Sequence, residues 1–168
     1  MIQVIIAFMG LPASGKSFWA KRISWKIKGK RLSSDLLRKK MFKKRTYSES
    51  EKEKVYNEMI KQMKINVKKG KNVVLDATFY KEDLRKKFIE QAEKIKQKIL
   101  FVEVKAKNET VKRRLNKKRK HSEADYAVYL ALKSAFEPLK KKHLVVYSDG
   151  HIFSYNLKKI MNYLNAEK

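Results

Sequence analysis

The stretch "GLPASGKSF", residues 10–18, stands close behind the apolar run "VIIAF", residues 4–8. Gly10, Gly15, Lys16 and Ser17 satisfy the spacing G-x-x-x-x-G-K-[ST]. Each residue type there has a separate physical task. Glycines let the backbone wrap closely with its N–H groups turned inward, a lysine reaches the β- and γ-phosphates, a serine hydroxyl ligates Mg²⁺, and a helix N-terminus adds the positive end of its dipole. The context is also right, because an apolar strand pattern precedes the loop and Phe18, Trp19, Ile23 and Ile27 follow it at helical spacing. The expected ligand is ATP with Mg²⁺, or another nucleoside triphosphate. It is held by Gly10, Leu11, Pro12, Ala13, Ser14, Gly15, Lys16, Ser17 and Phe18, with Lys16 also catalytic and Ser17 on the metal.

Working outward, "IQVIIAF" (2–8), "NVVLDATF" (from 72), "KILFVEV" (from 98) and "HLVVYSDG" (from 143) read as strands buried on both faces, and "KRLSS" (30–34) as a weaker one. Helical patterns alternate with them. Ser48 and Glu51 make a capping box ahead of Val55, Met59, Met63 and Val67, and Gly70 stands at the C-cap position. Leu84, Phe88, Ala92 and Ile95 line the next helix. Ala124, Ala127, Val128, Ala131, Leu132 and Ala135 line a third, and Leu157, Ile160, Met161 and Leu164 the last. All these stripes are expected to be core. Alternation of this kind predicts an α/β fold with a mainly parallel sheet and ligands at the strand carboxyl ends.

A chain of 168 residues fits one domain, residues 1–168, and no stretch approaches the roughly 20 apolar residues of a membrane span. The run at 4–8 is too short for a signal peptide. With no cysteine there is neither a disulfide framework nor a thiol nucleophile. A soluble, cytoplasmic protein is therefore expected. The charge is +26, from 43 Lys and Arg against 17 Asp and Glu. A surplus of that size attracts polyanions, nucleic acid first among them, although lysine-rich surfaces are often merely solvated.

A phosphate loop alone does not separate a kinase from other triphosphatases. The N-K-x-D string of GTPases is absent. Motors and assembly ATPases need a longer chain. In "SSDLLRKK" (33–40), Asp35 can take or orient an acceptor's proton and Arg38, three residues on, can hold its charge, although Asp35 also suits a helix N-cap. In "VVLDATF", Asp76 ends a buried strand where an acid meets Mg²⁺ or its water shell, and Thr78 is a candidate for orienting substrate. The basic run "VKRRLNKKRKHSEAD" would neutralise transferred phosphate if it closed over the cleft, and Ser122 to Asp125 within it is a capping box. His121, His143 and His151 show no metal-ligand spacing. Trp19, Trp25, Tyr126 and Tyr129 could stack on bases but at helical spacing are read as core.

"GLPASGKS", "SSDLLR", "VVLDATFYKEDLR" and "SEADYAVYLALKSAFEPL", in this order and over residues 1–139, resemble small P-loop kinases of the polynucleotide 5′-hydroxyl kinase and zeta-toxin group. The resemblance implies a P-loop NTPase three-layer sandwich with a mainly parallel five-stranded sheet and a helical lid around 112–125. It also implies ATP as donor, Asp35 as general base, Arg38 on an acceptor phosphate, Asp76 near metal or acceptor, and lid arginines on the donor. Arg114 and Arg119 are favoured for that last role over Arg113 and Lys118. Phe18 departs from the threonine frequent there, which affects helix packing. Members act on nucleic-acid ends, nucleotide sugars, antibiotics or unknown small molecules, so the charge decides the expectation: transfer to a 5′-hydroxyl of DNA or RNA. The alternatives are a small-molecule kinase (nucleoside, sugar or antibiotic) and a non-catalytic, ATP-switched nucleic-acid-binding module.

Overall fold

The computed structural model describes residues 3–117, 125–150 and 153–167, which form five strands and seven helices. In chain order these are β1 (Ile5–Met9), α1 (Lys16–Lys26), β2 (Lys30–Ser33), α2 (Ser34–Met41), α3 (Glu49–Lys68), β3 (Val73–Asp76), α4 (Glu82–Glu93), β4 (Ile99–Lys105), α5 (Asn108–Leu115), α6 (Tyr126–Ser134), β5 (Leu144–Tyr147) and α7 (Phe153–Ala166). The strand order is β2-β3-β1-β4-β5 and every pairing is parallel. Each crossover is a helix, as parallel neighbours require. The weak strand at residues 30–34 is real: it is the edge strand β2.

Central β1 is buried along its whole length, so its side chains feed two cores. Ile5, Ala7 and Met9 join Met59, Met63, Phe79 and Phe88 under α3 and α4, while Ile6 and Phe8 join Trp19, Ile23, Val102 and Ile160 under α1 and α7. The apolar stripes of α3, α4 and α7 are core, as their spacing predicts. That of α6 is not: only Tyr129 of this helix is buried, and Val128 and Leu130 are exposed. Trp25 departs from expectation in the same way, being 67% exposed while Trp19 is buried.

The register then assembles a site. Phe8 and Ser33 both pair with Asp76, so β1, β2 and β3 end on one level. The chain leaves β1 into the glycine loop, β2 into α2 and β3 into residues 77–80, and all three exits meet at that edge.

Candidate active site

The loop between β1 and α1 owes its shape to close approaches. A Cβ on Gly10 would lie 2.4 Å from the Val104 carbonyl oxygen of β4, and one on Gly15 2.9 Å from Ser148 Cβ, with φ of +148° and +98° at the two positions. Neither place admits a side chain. Ala13 is held at φ +62° between them. Gly15 is the N-cap of α1, whose first turn contains no acid, so its amide end is left to an anion.

At the foot of this loop Ser17 Oγ donates to Asp76 Oδ1 at 3.0 Å. Asp76 is almost wholly buried, and its second oxygen accepts from Arg31 Nε at 3.1 Å and Nη2 at 2.5 Å. Serine and acid are thus brought together as expected. Arg31 was not foreseen: it stands on β2 and reaches across to the neighbouring strand, a pairing no local motif announces. The donor set suits Mg²⁺, which takes oxygen ligands, binds through one or two carboxylates and keeps waters and substrate phosphates in its shell. Among the described residues no group of three His, Cys, Asp or Glu side chains gathers to hold a metal by itself. A serine that gives its proton to Asp76 keeps its lone pairs for the ion, and Ser17 is exposed.

Asp35 is not the N-cap of α2. Ser33 holds that position and Asp35 lies in the first turn, partly exposed, so the capping explanation for it falls away. Arg38 lies one turn on. It is buried, with Nη1 3.4 Å from Asp35 Oδ1, Nε 3.0 Å from Glu51 Oε1 and its guanidinium carbon 4.8 Å from the centre of the Tyr47 ring. The Glu51 contact is an ion pair whose N–H is not aligned on the oxygen. Glu51 performs half of the expected capping box: its amide donates to Ser48 Oγ at 3.2 Å. Its carboxylate turns instead to Thr46, accepting from the amide at 2.6 Å and the hydroxyl at 3.0 Å. Burial opposes charge on Glu51, but those bonds, the Tyr47 amide and Arg38 hold its carboxyl below the ordinary carboxylate value.

One cavity of about 340 Å³ brings the glycine loop and α2 together. Lys16 and Pro12 of the loop, Asp35 and Arg38 of α2, and Thr78 after β3 all line it, together with Tyr47, Lys52, Tyr56 and Tyr80. Val128, Ala131 and Leu132 of α6 close it on one side. The stripe expected to be core is therefore a cavity wall, while Tyr129 and Lys133 on another face of α6 are tied to Asn108 of α5, each at 3.1 Å. Burial pushes the Tyr56 hydroxyl well above its ordinary value, so it stays a neutral hydrogen-bonding group.

Arg114, expected on the donor phosphates, clasps the loop through its backbone. Nη1 donates to Ala13 O at 2.9 Å and to Ser148 Oγ at 2.7 Å, and Nη2 to Ser148 O at 3.3 Å. Ser148 belongs to the turn after β5, whose Asp149 accepts from the Lys107 amide at 2.5 Å. Arg119, Lys118, His121, Ser122 and Ala124 lie outside the described residues, as does His151. At the described end of that basic segment Asp125 caps α6: Asp125 Oδ1 accepts from the Val128 amide at 2.9 Å. Arg85, within the resembling string but given no role from sequence, is fully buried on α4 and donates to Phe79 O at 2.7 Å and Pro138 O at 3.3 Å. It ties the chain after α6 to the turn after β3.

A family model described as "AAA domain" matches residues 5–139. Among solved structures the chain resembles a sugar kinase from Janibacter sp. HTCC2649 (13% identity, TM-score 0.75, 98% of this chain and 95% of that one). It also resembles the Mycobacterium tuberculosis APS kinase in complex with AMPPNP and APS (14%, TM-score 0.76, 97% and 98%). A gluconokinase from Sinorhizobium meliloti 1021 is similar too (14%, TM-score 0.69, 98% and 97%). No curated protein matches the chain. At these identities the likeness is one of fold, that of the P-loop kinases.

Proposed function

We propose that this chain, which belongs to the AAA domain family over residues 5–139, is an ATP-dependent phosphotransferase acting on the alcohol of a small molecule. The observation that carries the reading is that Lys16 and Asp35, the donor-phosphate cation and the acceptor base, line the same cavity. In the proposed reaction the loop amides and Lys16 bind the triphosphate, with Ser17 and Asp76 holding Mg²⁺. Bound there, the metal would supply charge neutralisation for the transferred phosphoryl group. Asp35 accepts the proton of the acceptor hydroxyl as its oxygen bonds to the γ-phosphorus and the bond to the β-bridging oxygen breaks, releasing ADP. Arg38 fixes Asp35, and Thr78 would orient the acceptor. Arg114 acts here as a positioning residue, holding Ala13 against Ser148, and Arg119 keeps its proposed place on the donor.

The enclosing wall of α6 and the kinase neighbours with a sugar, APS or gluconate in their names favour a small acceptor over a polymer. The second reading, a 5′-hydroxyl polynucleotide, is favoured by the +26 charge. Labelled ATP with a panel of sugars, nucleosides and 5′-hydroxyl oligonucleotides separates the two. Label on small alcohols alone supports the first and label on oligonucleotide ends the second. Oligonucleotide binding without transfer would bring back a nucleic-acid switch and end the kinase reading. A polynucleotide acceptor would also show affinity falling with salt at a log–log slope of about −0.7 for each phosphate contacted.

A further inference from the structure

We propose that the acceptor is an alcohol carried on an aromatic or heteroaromatic ring scaffold of about nucleoside size, not a bare polyol; the proposal rests on the kinase reading of the same cavity. The argument begins with α6. Its apolar residues Val128, Ala131 and Leu132 have a cavity beside them and little protein cover, Val128 being 43% exposed. The same cavity is lined by Tyr47, Tyr56 and Tyr80, from the segment before α3, from α3 itself and from the turn after β3. Three separate segments thus contribute rings to one cavity, and its accessible lining is predominantly apolar.

None of the polar groups comes from α6. Lys16, Ser34, Asp35 and Thr78 arrive from the strand ends and the glycine loop, where transfer takes place, and Arg38 and Lys52 from α2 and α3. A free sugar has hydroxyls on every side, and seating it here would strip water from those facing α6 without returning hydrogen bonds. A planar ring loses little by that burial and gains stacked or edge contacts with tyrosines. A volume of about 340 Å³ falls at the lower end of small-molecule sites, which range over roughly 300–1,000 Å³.

The test uses matched pairs that share the reacting alcohol: adenosine against ribose, uridine against ribose, and phenyl β-glucoside against glucose. With Mg²⁺ and ATP, the ring-bearing member of at least one pair is expected to show kcat/KM tenfold or more above its partner. The Leu132→Asn variant should compress that ratio, a change that a general loss of folded protein would not produce. Equal or better turnover of the polyol members overturns the inference while leaving a kinase. If no alcohol accepts phosphate, the kinase reading falls, and calorimetry with a non-hydrolysable ATP analogue decides the ring site by itself. Binding of the ring-bearing members alone, weakened by Leu132→Asn, upholds it; equal binding within pairs, or none, overturns it.

Discussion

Ser17 Oγ and Asp76 Oδ1 stand 3.0 Å apart, although 59 residues separate them in the chain. The distance follows from parallel pairing of β1 with β3, which sets Phe8 beside Asp76 and brings the loop after β1 over the end of β3. This hydroxyl and this carboxylate are the groups that would hold the metal, with Arg31 fixing the far carboxylate oxygen. Replacing Asp76 by Asn should therefore lower kcat by about 10²-fold or more and raise the Mg²⁺ concentration needed for half-maximal rate, as expected when a metal-anchoring oxygen is lost. Arg31→Gln should have the same sign and a smaller size, about tenfold. A Mg²⁺ titration of the steady-state rate checks both, and an unchanged Mg²⁺ dependence in Asp76→Asn would remove Asp76 from the metal.

Asp35 is judged by a separation of binding from chemistry. It contacts the acceptor hydroxyl in the proposed reaction but not the triphosphate, so Asp35→Asn should cut kcat by about 10²- to 10⁴-fold, the usual range for a lost general base. ATP affinity by calorimetry should change less than about threefold. Lys16→Ala should instead weaken ATP binding and abolish transfer together. Loss of ATP affinity in Asp35→Asn would place the residue on the donor side.

The Arg114 clasp predicts an effect on the donor without contact with it. Arg114→Met removes three hydrogen bonds that join Ala13 to Ser148, so the glycine loop loses that support. KM for ATP should rise about tenfold, in keeping with the loss of a charge-assisted contact worth roughly 1.5–3 kcal/mol, with a smaller effect on kcat. Arg114→Lys should not restore it, because an ammonium cannot serve both partners in the guanidinium's plane. A drop confined to kcat would return Arg114 to direct transition-state contact.

How far the sequence discloses this site depends on how local each relationship is. The glycine loop, the acid ending β3 and Asp35 beside Arg38 are consecutive or strand-terminal patterns, and all were legible. Arg31 on Asp76 and Arg114 on Ala13 span 45 and 101 residues, and only the assembled sheet creates them. The α6 stripe misled for another reason: periodicity reports an apolar face without saying whether protein or ligand covers it. Trp25 was misjudged likewise, since a helix on one side of a sheet buries Trp19 and Ile23 while turning Trp25 outward.

Arg85 gives a stability prediction independent of catalysis. Its guanidinium is buried against the carbonyls of Phe79 and Pro138, and burial lowers its affinity for the proton while Glu137 and Glu82 favour its charge. Arg85→Met keeps most of the volume but leaves two carbonyls without this donor. The loss should be about 3 kcal/mol or more, from two charge-assisted hydrogen bonds in a buried setting. Chemical denaturation checks it, with an unchanged m-value marking a pure stability effect. A loss below about 1 kcal/mol would show that water replaces the guanidinium.

Glu51 contributes a pH dependence to stability. Its carboxyl is held below the ordinary value of 4.5, so the folded state binds this proton less readily than the unfolded chain. For such a group the stabilisation is complete above the unfolded value and is lost as pH falls through the lower, folded one. Wild type should therefore lose Arg38's partner and the Thr46 bonds only in acid, below about pH 4.5. Glu51→Gln lacks the charge at every pH and leaves buried Arg38 with the Asp35 carboxylate and the Tyr47 ring. Its Tm should lie several degrees below wild type at pH 7, because a kilocalorie shifts a domain of this size by roughly 2–4 °C, and the two curves should converge as pH is lowered. Parallel curves down to pH 3 would mean that Glu51 acts through its shape and hydrogen bonds and not through its charge.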